Sequence, residues 1–449
     1  MGTVGETVDL HIYRSNRTEA LVAQLAENVA RTAGGPFDTE TIIVQGRGMA
    51  VWLSQQLALA HGVWAGAEYP FPRRYVERCM RSVLAGKAIE VGLVDEERLR
   101  WAVLQQLPAL CSRPEFKRLQ SYIEGKERGI RLFQLADRIA RRFDEYLTYR
   151  PEMMREWDRG KSDLPEAHAW QPILWRAVAE RLAQTGGCNH MASLERDFMA
   201  ALSRGVVPQG LPKRISLMGL STLPPLYFRI IAALCPQVET HLYLFSPGEG
   251  DWWNQTKPEH ITRALEADAE LEALHLDDGH PLLASMGSLG AEFQRSLEET
   301  VEALQVRFQE HDLYGEPGTG SVLGNVQHAI YASTQGETRK RRPRIQSADR
   351  SITIHSCHSP MREVEVLHDQ LLNLLTGKDP TCKPHEVVVL LPDVDTYAPF
   401  VEAVFERDAA DPRFIPYRIA DRPIQVDSPV IASLSVSYTH LTLPTNREV

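Results

Sequence analysis

The sequence predicts an α/β protein: a parallel sheet interrupted by a large helical insertion, followed by the start of a second α/β domain. Three observations carry this. Strand-length apolar runs alternate with amphipathic helical stretches from the amino terminus onward. From about Tyr75 to Arg204 the pattern is almost wholly helical, after which sheet-like runs return. Near residue 350 a new strand–turn–helix pattern begins.

The opening reads as a strand at Leu10–Tyr13, a helix at Thr18–Ala30, a second strand at Thr41–Gln45, a glycine-containing turn and a helix through Leu53 and Leu57. In the helical block, Leu132, Ala136, Ile139, Phe143 and Leu147 form one apolar stripe. Trp101, Trp157, Trp170 and Trp175 are expected as core aromatics. Sheet pattern returns at Arg214–Leu220; a Pro224–Pro225 turn, a helix at Leu226–Leu234 and a strand at Glu239–Phe245 follow. Residues Gly248–Leu276 are polar and irregular, and helices are expected again over about Pro281–Gln309. The stretch Gly315–Asp349 reads as a flexible linker carrying the basic run Arg339, Lys340, Arg341, Arg342 and Arg344.

The segment Arg350–Leu375, RSITIHSCHSPMREVEVLHDQLLNLL, packs a strand, a turn and a helix into one block. Ile352 and Ile354 alternate with polar residues as on a half-buried strand. Ser359 is a good N-cap, and Pro360 suits the first helical position. Val364, Leu367, Leu371 and Leu374 share one helical face. Cys357, His358, Ser359 and Arg362 would lie at the carboxyl end of the strand, where open α/β sheets bind ligands. The continuous apolar run Val387–Leu391 suits a strand buried on both faces, and Phe400, Val401, Val404 and Phe405 mark a further helix. His355, His358 and His368 lack a convincing metal-ligand set and are expected to be structural. No internal repeat of solenoid type is present.

The expected domains are residues 1–72 with 205–314, a first α/β domain; 73–204, the helical insertion; 315–349, the linker; and 350–434, the start of a second α/β domain. The tail 435–449, SVSYTHLTLPTNREV, breaks the apolar pattern and resembles translated adapter sequence.

Bulk composition narrows the classes. Of 449 residues, 43% are hydrophobic and 24% charged, ordinary for a globular protein. No apolar run reaches the ~20 residues that span a bilayer, and no secretory leader is legible at the start. The six cysteines lack CxxC spacing, which points to reduced thiols, a cytoplasmic location and no zinc site. A net charge of −10 argues against a surface coated in nucleic acid, although a local basic channel needs only a few residues. Arg73, Arg74, Arg78 and Arg81 form one such cluster, and Arg138, Arg141 and Arg142 another.

Several blocks carry a family resemblance: the Arg350–Leu375 segment, Ile12–Ala26, VQGRGMAVWL at Val44–Leu53, LFQLADRIARRFDEYLTYRP at Leu132–Pro151, HAWQPILWRA at His168–Ala177, MGLSTLPPLYF at Met218–Phe228, and DVDTYAPFVEAVF with IPYRIADRP near the end. Taken in their order along the chain they resemble the RecC family, the gamma subunits of the bacterial exodeoxyribonuclease V (RecBCD) helicase–nuclease. The likeness covers roughly Asp9 to Leu434. Family chains are more than twice as long, so an amino-terminal fragment is expected. The layout is similar to superfamily 1 helicases, whose sheets are RecA-like.

A motor of that kind needs GxxxxGK[ST] after a strand, to cradle phosphates and bind Mg²⁺, and an acidic residue at the end of a neighbouring strand. Here the first junction reads Val44-Gln45-Gly46-Arg47-Gly48-Met49-Ala50, without Gly-Lys-Ser/Thr, and the second ends Gly219-Leu220-Ser221-Thr222, without a carboxylate. Arg47 could supply charge but no metal-binding hydroxyl. For metal-dependent DNA cleavage, Asp393 with Asp395 and Glu363 with Glu365 lack the needed spacing and lysine.

The resemblance therefore implies a non-catalytic subunit of a helicase–nuclease in double-strand break repair and recombination, with no cofactor of its own and ATP and Mg²⁺ left to the partners. It implies RecB-like and RecD-like subunits in a heterotrimer, double-stranded DNA ends and single-stranded DNA as partners, and recognition of the hotspot called Chi. Gln45 matches a family glutamine that contacts DNA, and Asp144 and Arg150 match reading-site positions in FDEYLTYRP. Arg47, Arg141 and Arg142 complete the expected DNA-binding set. Arg47 and Val51 replace polar uncharged residues of the best-known pattern, Glu77 replaces an aromatic, and Arg141 and Arg142 replace an acidic and an apolar residue; a different hotspot, or none, is the expectation. Read without the resemblance, Gln45 caps a turn, and Asp144 and Arg150 form a structural ion pair. The competing classes are a divergent superfamily 1 ATP-dependent helicase or nuclease acting alone, and a pure protein-interaction module.

Overall fold

The computed structural model describes residues 8–31, 38–84, 94–125, 127–184, 190–254, 280–332, 346–376, 382–420, 430–431 and 433–434. The chain divides into two compact units, Met1–Gln346 and Ser347–Val449. The basic run Arg339–Arg344, Cys188 and the tail 435–449 lie outside the described residues.

The first unit is built on a six-stranded sheet in the order β3-β2-β4-β5-β1-β6. Its strands are β1 (Leu10–Ser15), β2 (Glu40–Ile43), β3 (Ala67–Glu68), β4 (Arg214–Met218), β5 (Glu239–Phe245) and β6 (Phe308–Asp312), and every pairing is parallel. Helix α1 (Thr18–Ala30) joins β1 to β2, and α2 (Arg47–His61) joins β2 to β3. Between β3 and β4 lie α3 (Pro72–Val83), α4 (Glu96–Leu110), α5 (Lys117–Ile123), α6 (Arg128–Tyr149), α7 (Pro151–Asp158), α8 (Trp170–Gln184) and α9 (Met191–Ser203). After β4 come α10 (Pro225–Ala232), β5, α11 (Pro281–Met286), α12 (Ser288–Ala303), β6 and α13 (Val322–Tyr331).

Strand alternation sorts the side chains into two cores. Leu10, Ile12, Ile43, Ile215, Leu217, Leu242 and Leu244 face α3, α9, α10 and α12. Tyr13, Ile42, Val44, Met218 and Tyr243 face α1 and α2. A sheet covered on both faces has apolar residues on both parities, which explains the fully buried β4. The inserted helices close a separate core around Phe143, Trp157 and Trp175, with Trp175 edge-on to Phe143 at 5.4 Å between centroids. The helical insertion into a parallel α/β unit is thus present as expected.

Arg214 anchors the start of β4. Its buried guanidinium donates to the Asn28 and Arg31 carbonyls, each at 2.8 Å, and pairs with Glu40. These are carbonyls at the carboxyl end of α1, where a cation complements the helix dipole.

Beneath α1 the sheet carries an aromatic and imidazole layer. Tyr13 stacks on Tyr243 at 4.9 Å and on His311 at 4.5 Å, and His11 stacks on His241 at 5.1 Å. Asn28 donates to the Tyr243 hydroxyl at 2.8 Å, and His241 Nε2 meets Glu239 at 2.7 Å.

Several expectations are corrected. The helical reading up to Gln309 ends at Ala303, and Phe308–Asp312 is a strand. It is an edge strand with little buried surface, so its sequence FQEHD carries no apolar alternation. The stretch expected as linker contains the helix α13. Trp101 is 49% exposed rather than core, whereas Trp157 and Trp175 are buried.

In the second unit, α14 (Pro360–Thr376) packs on α15 (Val394–Phe405) through Val364, Leu371, Val401, Val404 and Phe405. Ser359 Oγ accepts from the Arg362 N–H at 3.3 Å, the expected N-cap. His368 is buried against Phe405 and donates to the Arg413 carbonyl at 3.1 Å, a structural role. The strands expected at Ile352–His355 and Val387–Leu391 do not form among the described residues. An apolar run of strand length becomes a strand only when a neighbour takes up its N–H and C=O groups; here Ile354 is 93% exposed and Leu390 90%.

Burial pushes the His241 imidazole down to about 4, opposed only in part by Glu239. An unfolded histidine titrates near 6.5, so between pH 6.5 and 4 the unfolded chain takes up a proton that the folded chain refuses. Stability is expected to fall as pH drops through that window, by on the order of 3 kcal/mol. Thermal melting of wild type and His241→Gln across this range checks it: the variant's midpoint should depend less on pH.

Candidate functional site

In the sheet order, the connection leaving β2 runs outward to β3 and the one leaving β4 runs the other way to β5. The carboxyl ends of β2 and β4 therefore flank a topological switch point, the place where open α/β sheets form a crevice. Three elements converge there: the Val44–Gly46 turn, the first turn of α2, and Gly219–Thr222 after β4.

The crevice is bridged by Gln45. Its Nε2 donates to the Thr222 carbonyl at 2.6 Å, and its Oε1 accepts from the Ser221 N–H at 3.2 Å and the Ser221 hydroxyl at 3.1 Å. The carboxamide uses both of its ends, as the turn-capping reading expects. Below the bridge, Gly219 has φ +69°, and a Cβ there would stand 2.6 Å from Met49 Cε. The methionine thus lies against the turn after β4, and the left-handed backbone angle is what favours glycine at position 219. Gly46 and Gly48 are different: a Cβ at either meets nothing within 4 Å.

Arg47 occupies the first position of α2, exposed, and forms no ion pair among the described residues. No acidic side chain occupies that first turn.

Asp144 on α6 is tied to the same end of the sheet through Arg73. The Val44 N–H donates to the Pro70 carbonyl at 3.2 Å, which seats the turn into α3 beside β2. In the first turn of α3, Arg73 reaches both Asp144 oxygens at 3.2 Å and Glu77 at 3.4 Å. Burial raises the Asp144 carboxyl, and the Arg73 charge and hydrogen bonds offset only part of that. Asp144 therefore pairs with Arg73 and not with Arg150, which sits exposed at the α6–α7 junction without an ion pair among the described residues. Arg141 turns to Asp137 at 2.9 Å and Glu96 at 3.2 Å, and Arg142 to Glu145. Both are more than half exposed, where such pairs contribute about 0–1 kcal/mol.

Of the residues anticipated from sequence, Gln45 and Arg47 stand at the crevice, Asp144 is joined to its rim through Arg73, and Arg141, Arg142 and Arg150 follow the course of α6. Sequence reasoning missed Arg73 as the partner of Asp144, although it belongs to a noted basic cluster, and missed Ser221 and Thr222 as the partners of Gln45.

Comparison with known proteins agrees with this layout. The family described as RecC, N-terminal domain matches residues 10–333. The chain is 33% identical to the RecBCD enzyme subunit RecC of Escherichia coli (strain K12), over 98% of this chain and 41% of that protein. It is 29% identical to the protein of the same description from Haemophilus influenzae, over 89% and 39%, and 30% identical to that of Mycolicibacterium smegmatis, over 94% and 38%. The chain thus spans about two fifths of the length of these curated relatives.

Replacing Arg73 with alanine leaves the Asp144 carboxylate half-buried and unpaired. The expected loss is about 1–3 kcal/mol of unfolding free energy at neutral pH. Because a protonated Asp144 needs no cation, the loss should shrink at pH 5, and Asp144→Asn in the Arg73→Ala background should restore part of it. Urea unfolding of the three variants at both pH values measures this.

Proposed function

The chain belongs to the RecC family, and from that premise we propose that it is a non-catalytic, single-strand-guiding portion of a RecBCD-type helicase–nuclease acting at double-strand breaks. The observation that carries this reading is the bridged crevice. A nucleotide-driven motor of this layout would lay its phosphates on the turn after β2 and its Mg²⁺ beside the end of β4. In this chain the Gln45 carboxamide spans those two places and Met49 fills the space against Gly219. The position is built for a fixed turn, and ATP with Mg²⁺ is left to RecB-like and RecD-like partners.

The exposed cations at Arg47 and Arg150, and those at Arg141 and Arg142 that hold only surface ion pairs, support a phosphate-tracking role. Gln45, Asp144 and Arg150 supply the amide, carboxylate and guanidinium groups that base-edge hydrogen bonding uses. Gln45 and Asp144 are each engaged with protein partners, so a base reaching either must displace Ser221 and Thr222 or Arg73. That engagement, together with the basic Arg141 and Arg142, supports a hotspot preference different from Chi, or none.

Fluorescence anisotropy of the 449-residue chain with a labelled oligothymidylate tests the guiding role. Binding should weaken with salt, and Arg47→Ala and Arg150→Ala should each lower the log–log slope by about 0.7, the value of one single-strand phosphate contact. A Chi octamer and its scrambled counterpart are expected to bind within twofold of each other. ATP turnover should stay at background with and without DNA; DNA-stimulated hydrolysis abolished by Arg47→Ala would instead mark a divergent motor.

A further inference from the structure

Tyr75, Val76, Cys79, Met80 and Val83 bury one side of α3 in the core. The opposite side carries Arg74, Arg78 and Arg81, spaced i, i+4 and i+7, a stripe about 10 Å long at helical rise. All three line one concavity of 420 Å³ with Glu68, Tyr69 and Pro70. Like charges on a solvated face fan apart; these converge on a hollow.

The acids present do not balance them. Glu68 accepts from Arg78 at 2.5 Å and from Thr41 at 2.7 Å. Burial alone would raise its carboxyl, but those hydrogen bonds and the neighbouring arginines lower it, so it stays anionic and fixes Arg78 in place. The Arg78 guanidinium also lies over the Tyr75 ring, 5.3 Å from its centroid. Among the described residues Arg81 meets only Glu77, at 3.8 Å, an acid it shares with Arg73. Arg74 forms no hydrogen bond or ion pair among the described residues. Three cations thus face one firmly held carboxylate, Glu68, and a share of Glu77, in a chain whose net charge is −10.

The hollow has a direction. Because α3 doubles back from the Pro70 turn, its arginines run along β3 from the crevice end of the sheet toward the amino ends of the strands. A second concavity, of 430 Å³, shares Glu68 and Arg78 and continues past Asp38 and the Arg214-paired Glu40 to Gly210 and Lys213 ahead of β4. The trough therefore leads away from Gln45 and Arg47 along the sheet edge.

We propose that this trough is a phosphate-binding track in which Arg74 and Arg81 grip successive phosphodiesters of one nucleic-acid strand while Arg78, held by Glu68, forms its wall. The chemistry is a phosphate group held by guanidinium forks. Its assignment to a nucleic-acid backbone, instead of a free phosphate, rests on the single-strand-guiding reading and on a stripe longer than one phosphate spacing.

The full chain with Arg74→Glu and Arg81→Glu together is compared with wild type, using the labelled oligothymidylate over a salt series and inorganic phosphate as competitor. The expected result is at least tenfold weaker binding, a log–log salt slope smaller by about 1.4 for two lost contacts, and no displacement by millimolar phosphate. Arg74→Lys with Arg81→Lys should retain most of the affinity. That pair and the single alanine variants carry the test if the glutamate pair melts early. Unchanged binding in the Arg74 and Arg81 variants, with Arg47→Ala and Arg150→Ala still weakening it, overturns the track and leaves the guiding reading standing. Absence of binding by wild type overturns both. Displacement by micromolar phosphate overturns the backbone assignment.

Discussion

The parallel pairing of β2 with β4 is the constraint on which the first unit depends. Thr41, Ile42 and Ile43 lie in register with Ile215, Ser216 and Leu217, so everything between them must leave and return at adjacent strands. The entropy of closing so long a connection grows only logarithmically with its length. The inserted helices can therefore carry a complete core of their own around Phe143, Trp157 and Trp175 without disturbing the ladder. Arg214 fixes the returning end, since its guanidinium holds the last carbonyls of α1 and the Glu40 carboxylate at the start of β2. Ladder, helix terminus and ion pair meet at one residue.

The same pairing decides what happens at the opposite end of the strands. Because the chain departs in opposite directions after β2 and β4, the fold leaves a gap there. What occupies the gap is a matter of side chains: a carboxamide that reaches across, and a thioether lying against a glycine. Insertion and crevice are linked through α3, whose Arg73 joins Asp144 of the inserted helices to the turn seated beside β2. Movement of the helical block would be felt at the crevice rim through that pair.

Elements with a clean period were legible. Thr18–Ala30 and Glu239–Phe245 have the bounds that their apolar spacing gives. Polar edges were not: β6 has no alternation because it buries little, and β3 is two residues long. In the second unit, Ile352, Ile354 and Val387–Leu391 have strand composition without ladder partners among the described residues, since pairing is not a property of the segment itself. The site was legible as positions and opaque as contacts. Gln45 stood out through its match to a family glutamine at the turn after β2, but its partners lie 176 and 177 residues away. Ser221 and Thr222 registered only as lacking a carboxylate. Asp144 and Arg150 are close in sequence and chemically matched, yet the cation that reaches Asp144 comes from 71 residues upstream.

Gln45 and Met49 tie the turn after β2 to the turn after β4 through separate contacts, one polar and one apolar. Trimming the glutamine leaves the methionine lying on Gly219; trimming the methionine leaves the amide bridge intact. The two strand ends are therefore fastened twice, like a joint with two pins, and a single substitution at either position leaves the other fastening in place.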